Sequence, residues 1–335
     1  MALRDDLDPL DPLEKQLERA WASIAQGDLE AAMRSAERSL EIDEACPEAH
    51  NLVGYIHAAG GNLEQALVCY RTAIEYDEEY LEPRLNAAEA LLRIGDPSGA
   101  IEQLDAAIPL AETPDEYADA MLLRIDALLA AGETEMAAAA VRELPGGPFD
   151  SPQIDFLVGR AHFEIGELDA AALFVEHAAA ALPNDSEVNY YLALVREARG
   201  ELRGATAAFL QTRELDHWAP RPPWAESLAR FERRVRKAIA GLPTDLAAPL
   251  DGALVFVDEL PGAEIVCEGL DPRAPLWADD LPLDEDQTLR RIFVYQWNVE
   301  RLVPTPEALD GTLRELLAEE IERAFLSEPR PRAKD

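Results

Sequence analysis

Small and apolar residues recur along the first two thirds of the chain in a fixed order that repeats about every 34 residues. Six glycines, Gly27, Gly61, Gly95, Gly132, Gly166 and Gly200, stand 34, 34, 37, 34 and 34 residues apart. Five residues after each comes a small one: Ala32, Ala66, Ala100, Ala137, Ala171 and Ala205. With each glycine set at position 15 of a unit, position 8 holds Ala20, Gly54, Ala88, Ile125, Gly159 and Ala193. Position 24 holds Ala36, Tyr70, Leu104, Val141, Val175 and Phe209. The residues between are helix formers, so the pattern predicts six helix pairs. Small residues at positions 8 and 20 let the two helices of a unit approach, and larger ones at position 24 fill the space between neighbouring units. The glycine ends the first helix, where its tolerance of φ > 0 lets the chain reverse. The residue after it (Asp28, Asn62, Asp96, Glu133, Glu167 or Glu201) is placed to cap the second helix.

The segment NLVGYIHAAGGNLEQALVCYRTAIEYDEEY, with Val53, Gly54, Ala66, Tyr70 and Ala73 in phase, resembles the tetratricopeptide repeat, and the likeness extends over about residues 13–217. Two departures stand out. ETPDEY stretches the link between the third and fourth units, and the apolar face of the first unit (Leu13, Leu17, Trp21, Ile24) is one step out of register, as in a capping unit. The resemblance implies a mainly α fold, an α-solenoid of six helix-pair units whose first helices line a concave groove. Carried over residue by residue, the groove positions are Asn51, Tyr55, Leu85, Glu89, Arg93, Leu122, Asp126, Phe156, Arg160, Phe163, Tyr190, Leu194 and Glu197. Aromatics interleaved with acids suit an extended or helical peptide bearing apolar and basic side chains. The lysine and asparagine clamp by which some members hold a C-terminal carboxylate is missing, since Lys15 is the one lysine of the array.

The helical period stops at HWAPRPPW, residues 217–224. This divides the chain into an acidic tail (1–12), the solenoid (13–217), a stiff Pro-rich linker (218–224) and a second domain (225–335). In the last, residues 225–240 read as an amphipathic helix carrying Leu228, Phe231, Val235 and Ile239. ALVFVDEL (253–260) and RIFVYQ (291–296) read as strands, VERLV (299–303) as a strand pairing back across Trp297–Asn298, and 306–326 as a last helix. FERRVRKAIAGLPTDLAAPLDGALVFVDELP, EGLDPRAPLW and RIFVYQWNVERLV, in that order, resemble the minimal zincin-type bacterial metallopeptidase domain, a small α+β fold. That family's last helix carries H-E-x-x-H, two zinc-binding histidines flanking a general base. Here the helix reads LLAEEIERAF, with Glu319 and Arg323 at the histidine positions and Glu320 at the base position. Arginine offers no lone pair to a metal, and Glu319 before Arg323 at i, i+4 predicts a salt bridge in place of the metal pair.

Composition narrows the function further. With 335 residues there is room for two domains. The formal charge is −36: residues 1–220 hold 15 basic and 43 acidic side chains, residues 221–335 hold 15 and 23. That sign disfavours nucleic acid and anionic lipid and favours basic partners. Cys46, Cys69 and Cys267 show no metal or redox spacing. His50, His57, His162, His177 and His217 form no i, i+4 pair and read as packing or surface residues. Acid runs at 7–12 and 284–287 lack calcium-loop spacing. No secretory signal or apolar run of spanning length is visible, which points to the cytoplasm. The expectation is a non-catalytic adaptor or scaffold that uses no metal or cofactor and binds a protein or peptide, basic or amphipathic, in the groove, the degenerate zincin-like domain serving as cap or second docking surface. The rivals are a metallopeptidase with an atypical site around Glu320 and a structural subunit of a larger assembly.

Overall fold

The computed structural model describes residues 12–284 and 287–326, the side chains of 280–289 and 326 excepted. The acidic tail up to residue 11 and the centre of the acid run at 284–287 lie outside the described residues. The chain forms two compact units, residues 1–178 and 179–335.

The first unit is helical: α1 (Pro12–Ala25), α2 (Leu29–Ile42), α3 (Pro47–Ala59), α4 (Leu63–Tyr76), α5 (Leu81–Ile94), α6 (Pro97–Ala107), α7 (Pro114–Ala130), α8 (Thr134–Arg142), α9 (Pro152–Glu164) and α10 (Leu168–Ala181), within which the boundary falls. Odd and even helices alternate as the two arms of each pair. Every glycine of the ruler has φ between +77° and +83°, and none has a neighbour within 4 Å of a would-be Cβ, so backbone conformation alone requires glycine there. Position 8 is different. A Cβ on Gly54 would lie 2.5 Å from the Tyr70 ring, and one on Gly159 would lie 2.6 Å from Val175. The large position-24 residue therefore packs onto position 8 of its own unit as well as onto the next, where Tyr70 meets Ala87 and Ala90. Of the acidic or polar residues after the ruler glycines, Asp28 accepts from the Ala31 N–H and Asp96 from the Gly99 N–H. Asn62, Glu133 and Glu201 make no side-chain cap, and the Glu167 carboxylate instead accepts from Arg142 and meets His162.

The second unit opens with the helix pair α11 (Ser186–Ala198) and α12 (Leu202–Trp218), followed by α13 (Leu228–Ala240), α14 (Thr244–Ala247), β1 (Leu254–Asp258), α15 (Ala263–Cys267), β2 (Leu276–Asp284), β3 (Gln287–Tyr295), α16 (Gln296–Arg301) and α17 (Leu309–Ile321), which runs into a π-helical turn, Glu322–Leu326. The sheet order is β1-β3-β2, β1 parallel and β2 antiparallel to β3. Leu276, Ala278, Ile292 and Val294 turn one sheet face onto Phe231 and Val235 of α13 and onto Leu309, Leu313, Leu317 and Ile321 of α17. The four-residue spacing of the α17 set is one helix stripe, and burying each such side chain contributes roughly 1.5–3 kcal/mol. On the opposite face Phe256, Phe293 and Trp277 stack across the strands, with ring centroids 4.9 and 5.1 Å apart.

One sequence expectation fails here. Residues 299–303 do not pair back as a strand; α16 occupies Gln296–Arg301. The helical turn lets buried polar side chains find partners: Gln296 Nε2 donates to the Glu226 carbonyl and to Glu300 Oε1, and Asn298 Nδ2 donates to the Pro272 and Ala274 carbonyls. A strand would put residues 296, 298 and 300 on one face, whereas the helix sets Gln296 beside Glu300 and sends Asn298 to the other side. The strand that does pair with β3 antiparallel is β2, whose alternation of buried Leu276 and Ala278 with outward Trp277 and Asp279 is masked by its acids and proline.

Candidate functional site

Along the first unit, the first helices of successive pairs present a groove of about 600 Å³. Its lining follows the repeat. Position 2 contributes Glu82 and Asp119, position 5 Asn51, Leu85 and Leu122, position 6 Asn86, Leu123 and Leu157, and position 9 Tyr55, Glu89 and Asp126. These offsets of three, four and seven residues define one helix face. Trp21 of α1 closes one end, its ring 5.5 Å from that of Tyr55.

The polar floor is cross-linked between units. Asn86 Nδ2 donates to Asn51 Oδ1 at 2.9 Å, and Asn51 Nδ2 to the Tyr80 hydroxyl at 3.4 Å. Burial, reinforced by Glu82, pushes the Tyr80 hydroxyl up to about 12. Four carboxylates, Glu82, Glu89, Asp119 and Asp126, line the groove, and none of its lining side chains is basic. Asp119 and Asp126 meet solvent at the groove mouth, yet the walls remove enough water to raise both carboxyls above the ordinary aspartate value. Glu89 adds to the rise at Asp119, and Arg160 opposes it at Asp126. A cation entering the groove would reverse that penalty.

Of the residues named from sequence, Asn51, Tyr55, Leu85, Glu89, Leu122 and Asp126 are brought together here. Arg93, Phe156, Arg160 and Phe163 are not among the lining residues. Phe156 is 3% exposed, and Leu157 beside it takes the groove position. Tyr190, Leu194 and Glu197 lie on α11 in the second unit, where the Tyr190 hydroxyl donates to Asp271 at 2.7 Å and the Arg273 guanidinium covers its ring. Sequence reasoning missed positions 2 and 6, whose signal was the acid at position 2 in the first four units, Glu14, Glu48, Glu82 and Asp119.

The last helix carries a different bond from the one its spacing suggested. Glu319 is exposed and Arg323 turns to Glu320, Nε to Oε2 at 2.7 Å, while Glu320 Oε1 also accepts the Ala278 N–H of β2 at 2.7 Å. Residues three and four apart are both neighbours on a helix face, and Arg323 takes the one three residues back. These residues do not fit a zinc ion: a guanidinium occupies the carboxylate, and among the described residues no three His, Cys, Asp or Glu side chains gather as metal ligands. The histidines have other occupations. His162 is buried against Glu167 at 3.0 Å, and His177 pairs with the fully buried Asp155 at 2.6 Å. Among the described residues no helix is long and apolar enough to cross a membrane.

Comparison with known proteins agrees with the repeat geometry. A TPR repeat model matches residues 54–95 and a tetratricopeptide repeat model residues 85–151. The chain is similar in structure to Pseudomonas aeruginosa pilF at 15% identity, covering 62% of this chain and 93% of that one with a TM-score of 0.53. It is also similar to PilW, a widely conserved type IV pilus biogenesis factor, at 16% identity, covering 63% and 96% with a TM-score of 0.51. No curated protein matches the sequence. The chain thus carries tetratricopeptide repeats in a mainly helical solenoid, with a small three-stranded sheet near its C-terminus.

Proposed function

We propose that the protein is a non-catalytic adaptor that captures a basic, amphipathic segment of a partner protein along the groove of its first unit. The observation that carries this reading is a groove that sets Trp21, Tyr55 and four leucines beside four carboxylates, with no basic side chain in its lining. Apolar side chains of a bound segment bury against the former, and its lysines or arginines meet carboxylates already short of water. The zincin-like domain (225–335) serves as a cap or second docking surface, a scaffold in which Arg323 and the Ala278 N–H hold Glu320.

An amphipathic Leu/Lys peptide and its Leu/Glu counterpart, titrated into the full chain, test the proposal. The Leu/Lys peptide is expected to bind, and Asp119→Asn with Asp126→Asn to weaken it about tenfold. Added salt should weaken it too, since the groove mouth is open to screening. Lowering the pH should loosen the complex from above the usual aspartate range of about 4, because both carboxyls protonate early. Equal affinity for the two peptides, or binding indifferent to salt, rejects the reading.

A further inference from the structure

The groove of the first unit is a trough with two charged rims. Its first helices touch in the order α1, α3, α5, α7 and α9. On α5 the exposed lining residues are Glu82 and Glu89, and on α7 Asp119 and Asp126, seven residues apart in each case. Seven residues are close to two turns, so the two acids of a helix share one face and stand about 10 Å apart along its axis. Between them the half-buried Leu85, Asn86, Leu122 and Leu123 form the floor. Packed helices lie about 8–10 Å apart. The four carboxylates therefore frame a largely apolar floor at the corners of a square about 10 Å on a side.

That width matches an α-helix with its side chains, about 10–12 Å across. An extended segment would also need partners for the backbone groups it turns to the floor. The floor amides are already engaged: Asn86 Nδ2 donates to Asn51 Oδ1, Asn51 Nδ2 donates to the Tyr80 hydroxyl, and Asn51 is 2% exposed. A helix satisfies its own backbone and needs only an apolar floor and a carboxylate on either flank. One rim changes along its length. Position 9 is Glu89 and Asp126 on α5 and α7, but Trp21 and Tyr55 on α1 and α3, 47% and 37% exposed. Aromatic rings left this open, 5.5 Å apart, mark a contact surface. At 1.5 Å per residue, a step of about 8–10 Å between helices is roughly two turns of ligand, so contacts along a rim recur about seven residues apart. The chain does not offer such a helix itself. α13 is basic and amphipathic, but Phe231 and Val235 bury its apolar side within the second unit. A second copy is opposed by the net charge of −36.

We propose that the groove receives its partner segment as an α-helix, with an apolar stripe on the floor, bases on both flanks and a bulky apolar residue at the α1–α3 end. The inference rests on capture of a basic segment by this groove, and it adds the conformation of that segment and the order of its side chains. A peptide of about 18 residues crosses three helix steps. The test peptide carries a leucine stripe, lysines seven apart on both flanks and a terminal phenylalanine. Two controls keep its composition and charge: an isomer with every lysine on one flank, and a diastereomer whose central D-residues prevent the helix. Calorimetry with the full chain should show the test peptide binding at least about tenfold tighter than either control, and circular dichroism should show helix gained on mixing. Glu82→Gln with Asp119→Asn, and separately Glu89→Gln with Asp126→Asn, should each weaken it about tenfold, since each pair removes one rim. Trp21→Ala should weaken the parent peptide but not one with alanine in place of the phenylalanine. If a control binds as well as the test peptide, or only one rim matters, the helical reading is overturned while capture of a basic segment stands. If no basic peptide binds, both fail. A dimer of the chain alone that the peptide dissociates gives the groove to a second copy and also overturns the proposal.

Discussion

Gly54 and Gly61 are neighbours in sequence and are glycine for unrelated reasons. Gly61 has φ +82° with empty space where its Cβ would be, whereas Gly54 sits inside α3 with the Tyr70 ring 2.5 Å from that point. Gly54→Ala is therefore expected to cost about 1–3 kcal/mol by overpacking, and Tyr70→Leu in the same chain to recover part of it. Gly61→Ala should cost about 1–2 kcal/mol through backbone strain, with no recovery from Tyr70→Leu. Urea midpoints of the four proteins separate the two cases. Recurrence of glycine at position 15 made the conformational role legible in the sequence. The steric role at Gly54 was legible only as part of a column of mostly small residues, because what fills the space depends on the partner at position 24.

Elements were read best where periodicity was long and worst where chemistry had to choose. The one 37-residue step is absorbed by a 3₁₀ turn, Ile108–Leu110, and by a capping box in which Thr113 Oγ1 accepts the Glu116 N–H and Glu116 accepts the Thr113 N–H. Thr113→Ala should cost about 1 kcal/mol, read as a lower unfolding midpoint, while the same change at Thr72, which only bonds its own helix at Val68, should be nearly neutral. In contrast, VERLV has the composition of a strand, and nothing local announces that Gln296, Asn298 and Glu300 will be buried and need partners. Likewise Glu319 and Arg323 have ideal helical spacing for a pair, but Glu320, three residues back and fixed by the Ala278 N–H, takes the guanidinium.

At the scale of the whole molecule, the last helix pair is bound into the second unit by a buried ion cluster. Asp216 of α12, 3% exposed, accepts from Arg273 at 3.0 Å and from Arg301 at 2.6 Å, and Arg273 also reaches Ser186 and Glu187 on α11. Burial alone would raise the Asp216 carboxyl, but the two guanidinium groups overcome it and hold its pKa below the ordinary value. A carboxyl depressed in the folded state contributes stability that is complete above the unfolded value of about 4 and lost as pH falls below it. Asp216→Asn, which strands two guanidinium groups, is expected to cost about 3 kcal/mol at pH 7. Its difference from the parent should shrink below about pH 4, as followed by denaturant unfolding at both pH values.

The amino-acid sequence by itself determined the repeat, its helix pairs, the sites of chain reversal and the sign of the charge, because each rests on local periodicity or on composition. It also placed half of the groove, since positions 5 and 9 share a helix face whatever the neighbours do. Only the tertiary structure decided that Phe156 turns into the core while Leu157 faces the groove, that Tyr190 is claimed by Asp271 and Arg273, and that Arg273 and Arg301 converge on the buried Asp216. Those outcomes depend on which residues, far apart in the chain, compete for the same buried space and the same hydrogen bonds, and no spacing within a single segment encodes that competition.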